Sequence, residues 1–368
     1  MVFLYIIFGI LGLISTVVVI GLIFIYLYPG VGKTPNSERR RVYAKITSHF
    51  TGKRFENSDN LKLMMGKQDP KSRDAKPKVK LPVMKPCVSG EGFRTDKGCL
   101  QVSWLGHSSA LINMSGKKIL IDPVLTDYSS PVGFAGVKRF SQTALLPEEA
   151  GEIDILLISH DHYDHLDYQT VMRLDKHVKH YCVALGVESY LLGWGIAPER
   201  ISAMNWWDKE LIDDITVSSI PAHHFSGRNP FKFNSSYWCG FVIEDGSHTV
   251  YYTGDGSYTD SFKEIPKSFN IDLALIECGQ YDRAWPYCHM FPEESAQAAI
   301  DIKAKWFIPV HWGAFCICNH AWDDSIKRIT AEKERLRLKM ATPKIGETVD
   351  YENIADYNEK WWQNLPKL

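Results

Sequence analysis

The chain has 368 residues, 45% of them hydrophobic and 23% charged, enough to bury one large core. A net charge of −1 excludes the overall basic excess expected of a nucleic-acid partner, and eight cysteines at this length exclude a dense disulfide scaffold. The balance is uneven: residues 1–30 carry no charge, residues 31–86 carry fifteen Lys/Arg against five Asp/Glu, and the rest is acidic.

Residues 2–28 form an uncharged apolar run of 27 residues. About 20 suffice to cross a bilayer as a helix, so segment 1–30 is predicted to be one transmembrane anchor. A cleaved signal peptide would start basic and have a shorter apolar core. Lys33, Arg39, Arg40, Arg41 and Lys45 follow at once, which by the positive-inside tendency makes this a single-pass protein of the cell membrane with its remaining chain in the cytoplasm. Residues 31–98 read as a basic linker and lead-in, either a solvated tether or a segment lying on anionic headgroups.

From residue 99 onward strands and helices alternate. Residues 101–106 and 153–159, and the runs ITVSSIPA, YWCGFVIE, HTVYYTG, IDLALIEC and KWFIPV, are predicted strands. ALINM, SGKK and ILID make one hairpin, and FVIEDGSHTVYY another. YQTVMRLDK, GVESYLLGW, PEESAQAAIDIKA and DSIKRITAEKERLRLKM are helical, the third opening on Pro292, Glu293 and Glu294 as helix N-termini do. Crossovers mixed with hairpins predict an α/β (α+β) fold of two packed sheets with helices outside. The domain is expected at 99–345, followed by a tail at 346–368. The cysteines read as buried reduced thiols, with Cys316 and Cys318 either packing near His311 or offering a further metal site. The pairs Trp206-Trp207 and Trp361-Trp362 suit either core packing or a membrane interface.

The strongest signal is Ser159-His160-Asp161-His162-Tyr163-Asp164-His165-Leu166-Asp167, directly after an apolar strand. Three imidazoles and a carboxylate within six positions are the donor types zinc takes at about 2.0–2.3 Å. Three further strands end in such groups: ITVSSIPA in His223-His224, HTVYYTG in Asp255, and KWFIPV in His311. Four loops gathered at one rim would supply a two-metal centre. Either His223 or His224 could serve.

This pattern resembles the metallo-β-lactamase superfamily, whose H-x-H-x-D-H motif is matched by His160, His162, Asp164 and His165. The resemblance implies a four-layer αββα sandwich holding two zinc ions. One would sit on His160, His162 and His224, the other on Asp164, His165 and His311, with Asp255 between them. The pattern P-A-x-H-F favours His224 over His223. Residues 99–320 further resemble the N-acylphosphatidylethanolamine phospholipase D family and its bacterial relatives, on WLGH at 104–107, IDPV at 121–124, KRF at 138–140, ISHDHYDHLDY at 158–168, TGDG at 253–256, His289-Met290 before PEES, and VHWG at 310–313. Residues 281–288 depart from that pattern. The implied activity is hydrolysis of a membrane phospholipid's phosphodiester, with water activated by the zinc pair attacking phosphorus. Alongside Asp164, the expected catalytic contributors are Asp122 and His107, supporting the ligands, and His289, binding a phosphate oxygen or protonating the leaving group. Asp167 is expected to support a ligand too, and Asp161 and Tyr163 to face away. The anchor and basic linker would hold the enzyme on the bilayer. The alternatives are a lactonase or small-molecule phosphodiesterase on the same fold, and a catalytically inert membrane-tethered scaffold.

Overall fold

The computed structural model describes residues 1–58 and 66–365; the parts of the expected linker and tail at 59–65 and 366–368 lie outside the described residues. The apolar N-terminal run forms α1 (Val2–Leu27), exposed along most of its length and half-buried at Gly21, Phe24 and Ile25 near its end. It is the one helix among the described residues long and apolar enough to span a membrane. Next comes α2 (Ser37–Ile46), which begins where Asn36 Oδ1 accepts the Arg39 N–H at 2.9 Å, the usual way to satisfy a free amide of a first turn.

The first half of the domain runs β1 (Leu100–Trp104), β2 (Ala110–Met114), β3 (Lys117–Ile121), a ribbon of β4 (Tyr128–Ser129) and β5 (Val137–Lys138), β6 (Ile153–Ile158), α3 (Tyr168–Leu174), β7 (Val178–Ala184), α4 (Glu188–Gly193) and β8 (Ile201–Met204). The second half runs β9 (Lys209–Ile212), β10 (Ile215–Pro221), β11 (Cys239–Glu244), β12 (Thr249–Tyr252), β13 (Leu273–Glu277), α5 (Pro292–Asp301), β14 (Trp306–Val310), α6 (Asp324–Leu336) and β15 (Thr348–Asp350). One sheet has the order β15-β1-β2-β3-β6-β7-β8, the other β14-β13-β12-β11-β10-β9. Strands β6 and β13 are buried along their whole length, as expected of strands covered on both faces.

Strand direction decides where the site lies. β3 runs parallel to β6, and β1, two antiparallel steps from β3, shares that direction. β12 runs parallel to β13 and β13 to β14, and β10, two antiparallel steps from β12, points the same way. The carboxyl ends of these strands lead into His107, Asp122, His160, His224, Asp255 and His311, the usual place for a site in such sheets.

Both flanking segments are more built-in than their composition suggests. Tyr43, Phe50 and Phe55 of the basic lead-in are buried in the main core, Phe55 stacking on Tyr237 at 4.7 Å between ring centroids. A few aromatics on one face suffice to dock a segment whose other residues are charged. In the tail, β15 pairs with β1 (Gln101 opposite Asp350), and Trp361 and Trp362 are buried against Trp312. These two tryptophans, and Trp206, are therefore packing aromatics; Trp207 is exposed. All eight cysteines are free thiols, and neither Cys316 nor Cys318 joins a donor cluster among the described residues.

Candidate metal centre

The loop after β6 is fixed from below. Asp122, at the end of β3, accepts the backbone N–H of Ser159 through Oδ1 at 2.7 Å, and its Oδ2 accepts from the Ser159 and Tyr252 hydroxyls and from His165 Nδ1. Arg228, 2% exposed, donates to the carbonyls of Asp161 and Leu166 in this loop and to those of Gly30 and Val31 just after α1.

Two groups of donors converge above it. In the first, His162 Nδ1 lies 3.0 Å from His160 Nε2 and 3.2 Å from His224 Nε2. Ligand atoms around a tetrahedral zinc with bonds of 2.0–2.1 Å are separated by about 3.3 Å, close to this spacing. The protonation pattern follows from the partners. The Cys288 carbonyl can only accept, so His224 Nδ1 carries the proton and Nε2 is bare. Ser159 gives its hydroxyl hydrogen to Asp122, so it accepts from His160 Nδ1, and His160 Nε2 is bare too. Burial, reinforced by neighbouring imidazoles, holds His160 and His224 well below the usual histidine range; burial also lowers His162. Neutral rings with inward lone pairs are the ligating form.

The second group is His107, Asp164, His165 and His311, beside Asp255. Asp255 Oδ2 lies 3.0 Å from His165 Nε2, 3.2 Å from His311 Nε2, 3.9 Å from His160 Nε2 and 4.0 Å from His224 Nε2, so this carboxylate stands between the two groups. His107 Nε2 is 2.9 Å from Asp164 Oδ2, and Ser108 Oγ is 2.7 Å from His311 Nδ1. Burial pushes Asp164 up, but the imidazoles of His165 and His107 outweigh it and hold the carboxyl below its ordinary value. For His165 burial works downward, and the Asp255 and Asp164 carboxylates override it and raise the ring. Three non-glycine residues here, His107, Asp122 and His311, have φ of 54°, 39° and 68°, a strained backbone held by its surroundings. Gly279 is required beside them, since a Cβ there would fall 1.5 Å from the His311 carbonyl oxygen.

The buried atoms His165 Nε2, His311 Nε2 and Asp255 Oδ1 make no hydrogen bond. Such atoms are costly unless something binds them. With imidazole and carboxylate donors at these separations, the residues present fit a pair of divalent cations.

A cleft of about 340 Å³ opens over the donors. His162, Asp164, Asp255 and His289 form its polar floor; Val137, Tyr163, Phe225, Trp285 and Ile317 form much of its wall. His289 Nδ1 is 3.5 Å from Glu277 Oε1. Burial pushes the Glu277 carboxyl up to about 7, and that carboxylate raises His289 against the opposing effect of burial.

The sequence of residues 117–312, more than half of the chain, matches the family model described as a β-lactamase superfamily domain. The chain belongs to the metallo-β-lactamase superfamily. It is 35% identical over 83% of its length to the uncharacterized protein Rv0906 of Mycobacterium tuberculosis, covering 82% of that protein. It is 31% identical over 71% of its length to N-acyl-phosphatidylethanolamine-hydrolyzing phospholipase D 1 of Caenorhabditis elegans, covering 78% of it. Among solved structures, Igni18, a metallo hydrolase from Ignicoccus hospitalis, shares the fold with a TM-score of 0.53 at 18% identity, over 68% of this chain and 98% of that one. This superfamily member is a metal-dependent hydrolase.

All seven expected ligand residues meet at this rim, and His224, not His223, faces the cluster. His223 instead contacts the Tyr287 carbonyl and the Ser257 hydroxyl. Asp161 turns away to Tyr190 and Gly227, whereas Tyr163 lines the cleft with its hydroxyl on the Arg228 carbonyl. Asp167 supports no ligand: it caps α3, accepting from Gln169 and Thr170 amides and from the Thr126 and Thr170 hydroxyls. A short acceptor suits a helix cap and a ligand's partner equally, so sequence could not separate the two. Glu277 escaped notice, although it ends an apolar strand just as Asp255 and His311 do. Arg228, Ser108 and Tyr252 carry no local signal.

Proposed function

We propose that this hydrolase is a two-zinc phosphodiesterase of the phospholipase D type, cleaving N-acylphosphatidylethanolamine-like lipids of the membrane to which α1 anchors it. The domain at 99–345 would then work on the cytoplasmic side, with residues 1–30 in the bilayer. The observation that carries this is the cleft: apolar walls that suit acyl chains stand on a floor of metal donors that suits a phosphate. The C. elegans relative's named substrate supports the lipid assignment.

His160, His162 and His224 would hold one ion, Asp164, His165 and His311 the other, with Asp255 shared. Bound zinc lowers the pKa of water to about 7 and offsets charge developing on phosphate oxygens. The chain's own groups do the rest. Asp122 fixes the His165 ring and His107 fixes the Asp164 carboxylate, which keeps the donors aimed. Glu277 favours a proton on His289, which lines the cleft and can pass it to the departing alcohol. Phe225, Trp285 and Ile317 exclude water around the reacting diester.

The test is release of phosphatidic acid from N-acylphosphatidylethanolamine vesicles by the full-length protein and by Asp164→Asn. Release by the parent and none by the variant is expected. Parent protein with two bound zinc ions that cleaves a soluble lactone or diester and no phospholipid would overturn the lipid assignment.

A further inference from the structure

Beyond α1, Phe134, Phe231 and Phe233 project into solvent, 79%, 56% and 51% exposed. Two of them lie on the turn Pro230-Phe231-Lys232-Phe233, all four of whose residues are exposed. That turn joins the cleft to α1. On one side Phe233 stacks at 5.5 Å on Phe225, the cleft wall beside His162. On the other, Phe231 stacks at 6.3 Å on Tyr26, in the last turn of α1. The third phenylalanine sits between β4 and β5, whose Ser129 and Val137 line the same cleft. This hairpin also touches the exit of α1, for a Cβ on Gly30 would fall 2.1 Å from the Pro131 carbonyl oxygen.

Both aromatic loops thus lie against the domain-side end of α1, through Tyr26 and Gly30. Lys232 stands between two of the phenylalanines, and Lys33 and Arg41 follow α1 exposed, a cationic fringe suited to anionic headgroups. Aromatic tips with a cationic fringe are the composition of an interfacial contact. We propose that Phe134 and the 230–233 turn insert into the bilayer interface beside α1, so that the cleft opens onto lipid and a diacyl substrate enters sideways. The inference rests on the anchor assignment of α1, and its occupant is a lipid surface.

The full-length protein is reconstituted in phosphatidylcholine–phosphatidylglycerol vesicles containing a phospholipid with a diazirine on its acyl chain, and adducts are mapped by mass spectrometry. Adducts at Phe134 and on 230–233 as well as on α1 are expected. Adducts on α1 alone would overturn the insertion and leave the anchor standing; none anywhere would overturn the anchor and the insertion together. A second measurement separates insertion from cleft shape. Phe134→Ser with Phe231→Ser should raise about tenfold the vesicle concentration giving half-maximal hydrolysis, leaving turnover of soluble bis-para-nitrophenyl phosphate unchanged. Leu211→Ser, equally exposed but on the edge strand β9, should change neither. Equal losses of the double variant on both substrates would defeat the proposal.

Discussion

Two regions of this protein bury charged side chains, and they treat them in opposite ways. At the seam between the N-terminal segment and the domain, the buried charges of Arg228 and Glu188 are both answered: Arg228 donates to four carbonyls, and Glu188 accepts from Arg39, the Tyr43 hydroxyl and the Gly186 amide. At the rim, His165 Nε2, His311 Nε2, Asp255 Oδ1 and Glu277 Oε2 are buried without a hydrogen bond. A satisfied buried charge holds chain segments together; converging unsatisfied ones await a ligand. That difference locates the centre without reference to any relative.

The largest test of the contrast removes a rim group. Asp255→Ala should lower hydrolysis on the order of 10³-fold and reduce bound zinc measured by elemental analysis, while the melting temperature of metal-free protein stays at or above the parent's. A metal-free variant markedly less stable than metal-free parent would make the rim structural. The seam should behave in reverse. Arg228→Met strands four carbonyls, each costing about 1–3 kcal/mol if left buried without a donor, seen as a drop in melting temperature with or without zinc; no drop would mean that the seam tolerates unpaired carbonyls.

Asp122 bridges the two behaviours, being fully partnered yet supporting a ligand. Asp122→Asn should weaken zinc affinity about 10–100-fold in a competition titration, and unchanged affinity would remove it from the set of positioning residues. The smallest effect concerns pH. Burial raises the Glu188 carboxyl against Tyr43 and Arg39, which act downward. A carboxyl with a folded pKa above its unfolded value of about 4.3 contributes stability below that value, and loses it as pH rises through the folded pKa. The melting temperature of the parent relative to Glu188→Gln should therefore fall as pH increases from about 4 upward; a rise would reverse the sign assigned to this residue.

Which parts were legible in the sequence depends on range. The four donors at His160, His162, Asp164 and His165 sit within six positions after an apolar strand, so composition betrays them. Strands such as β6 and β13, and helices such as α5 with its Pro292 start, are likewise local patterns. The pairing of β15 with β1 joins residues some 250 positions apart, and nothing in ETVDY announces it. The docking of Tyr43 and Phe55 was hidden because three aromatics are few among fifteen cations. Glu277 was hidden because one glutamate after LALI looks like any strand end.

By itself, then, the sequence determined the apolar helix, the strand-ending donors and their order, since each is set by neighbours along the chain. Only the tertiary structure decided which ring nitrogens are bare, that His224 faces inward and His223 does not, and that Asp167 caps a helix. Those outcomes turn on burial and on hydrogen-bond partners such as Cys288, Ser159 and Tyr252, which folding supplies from distant strands and loops.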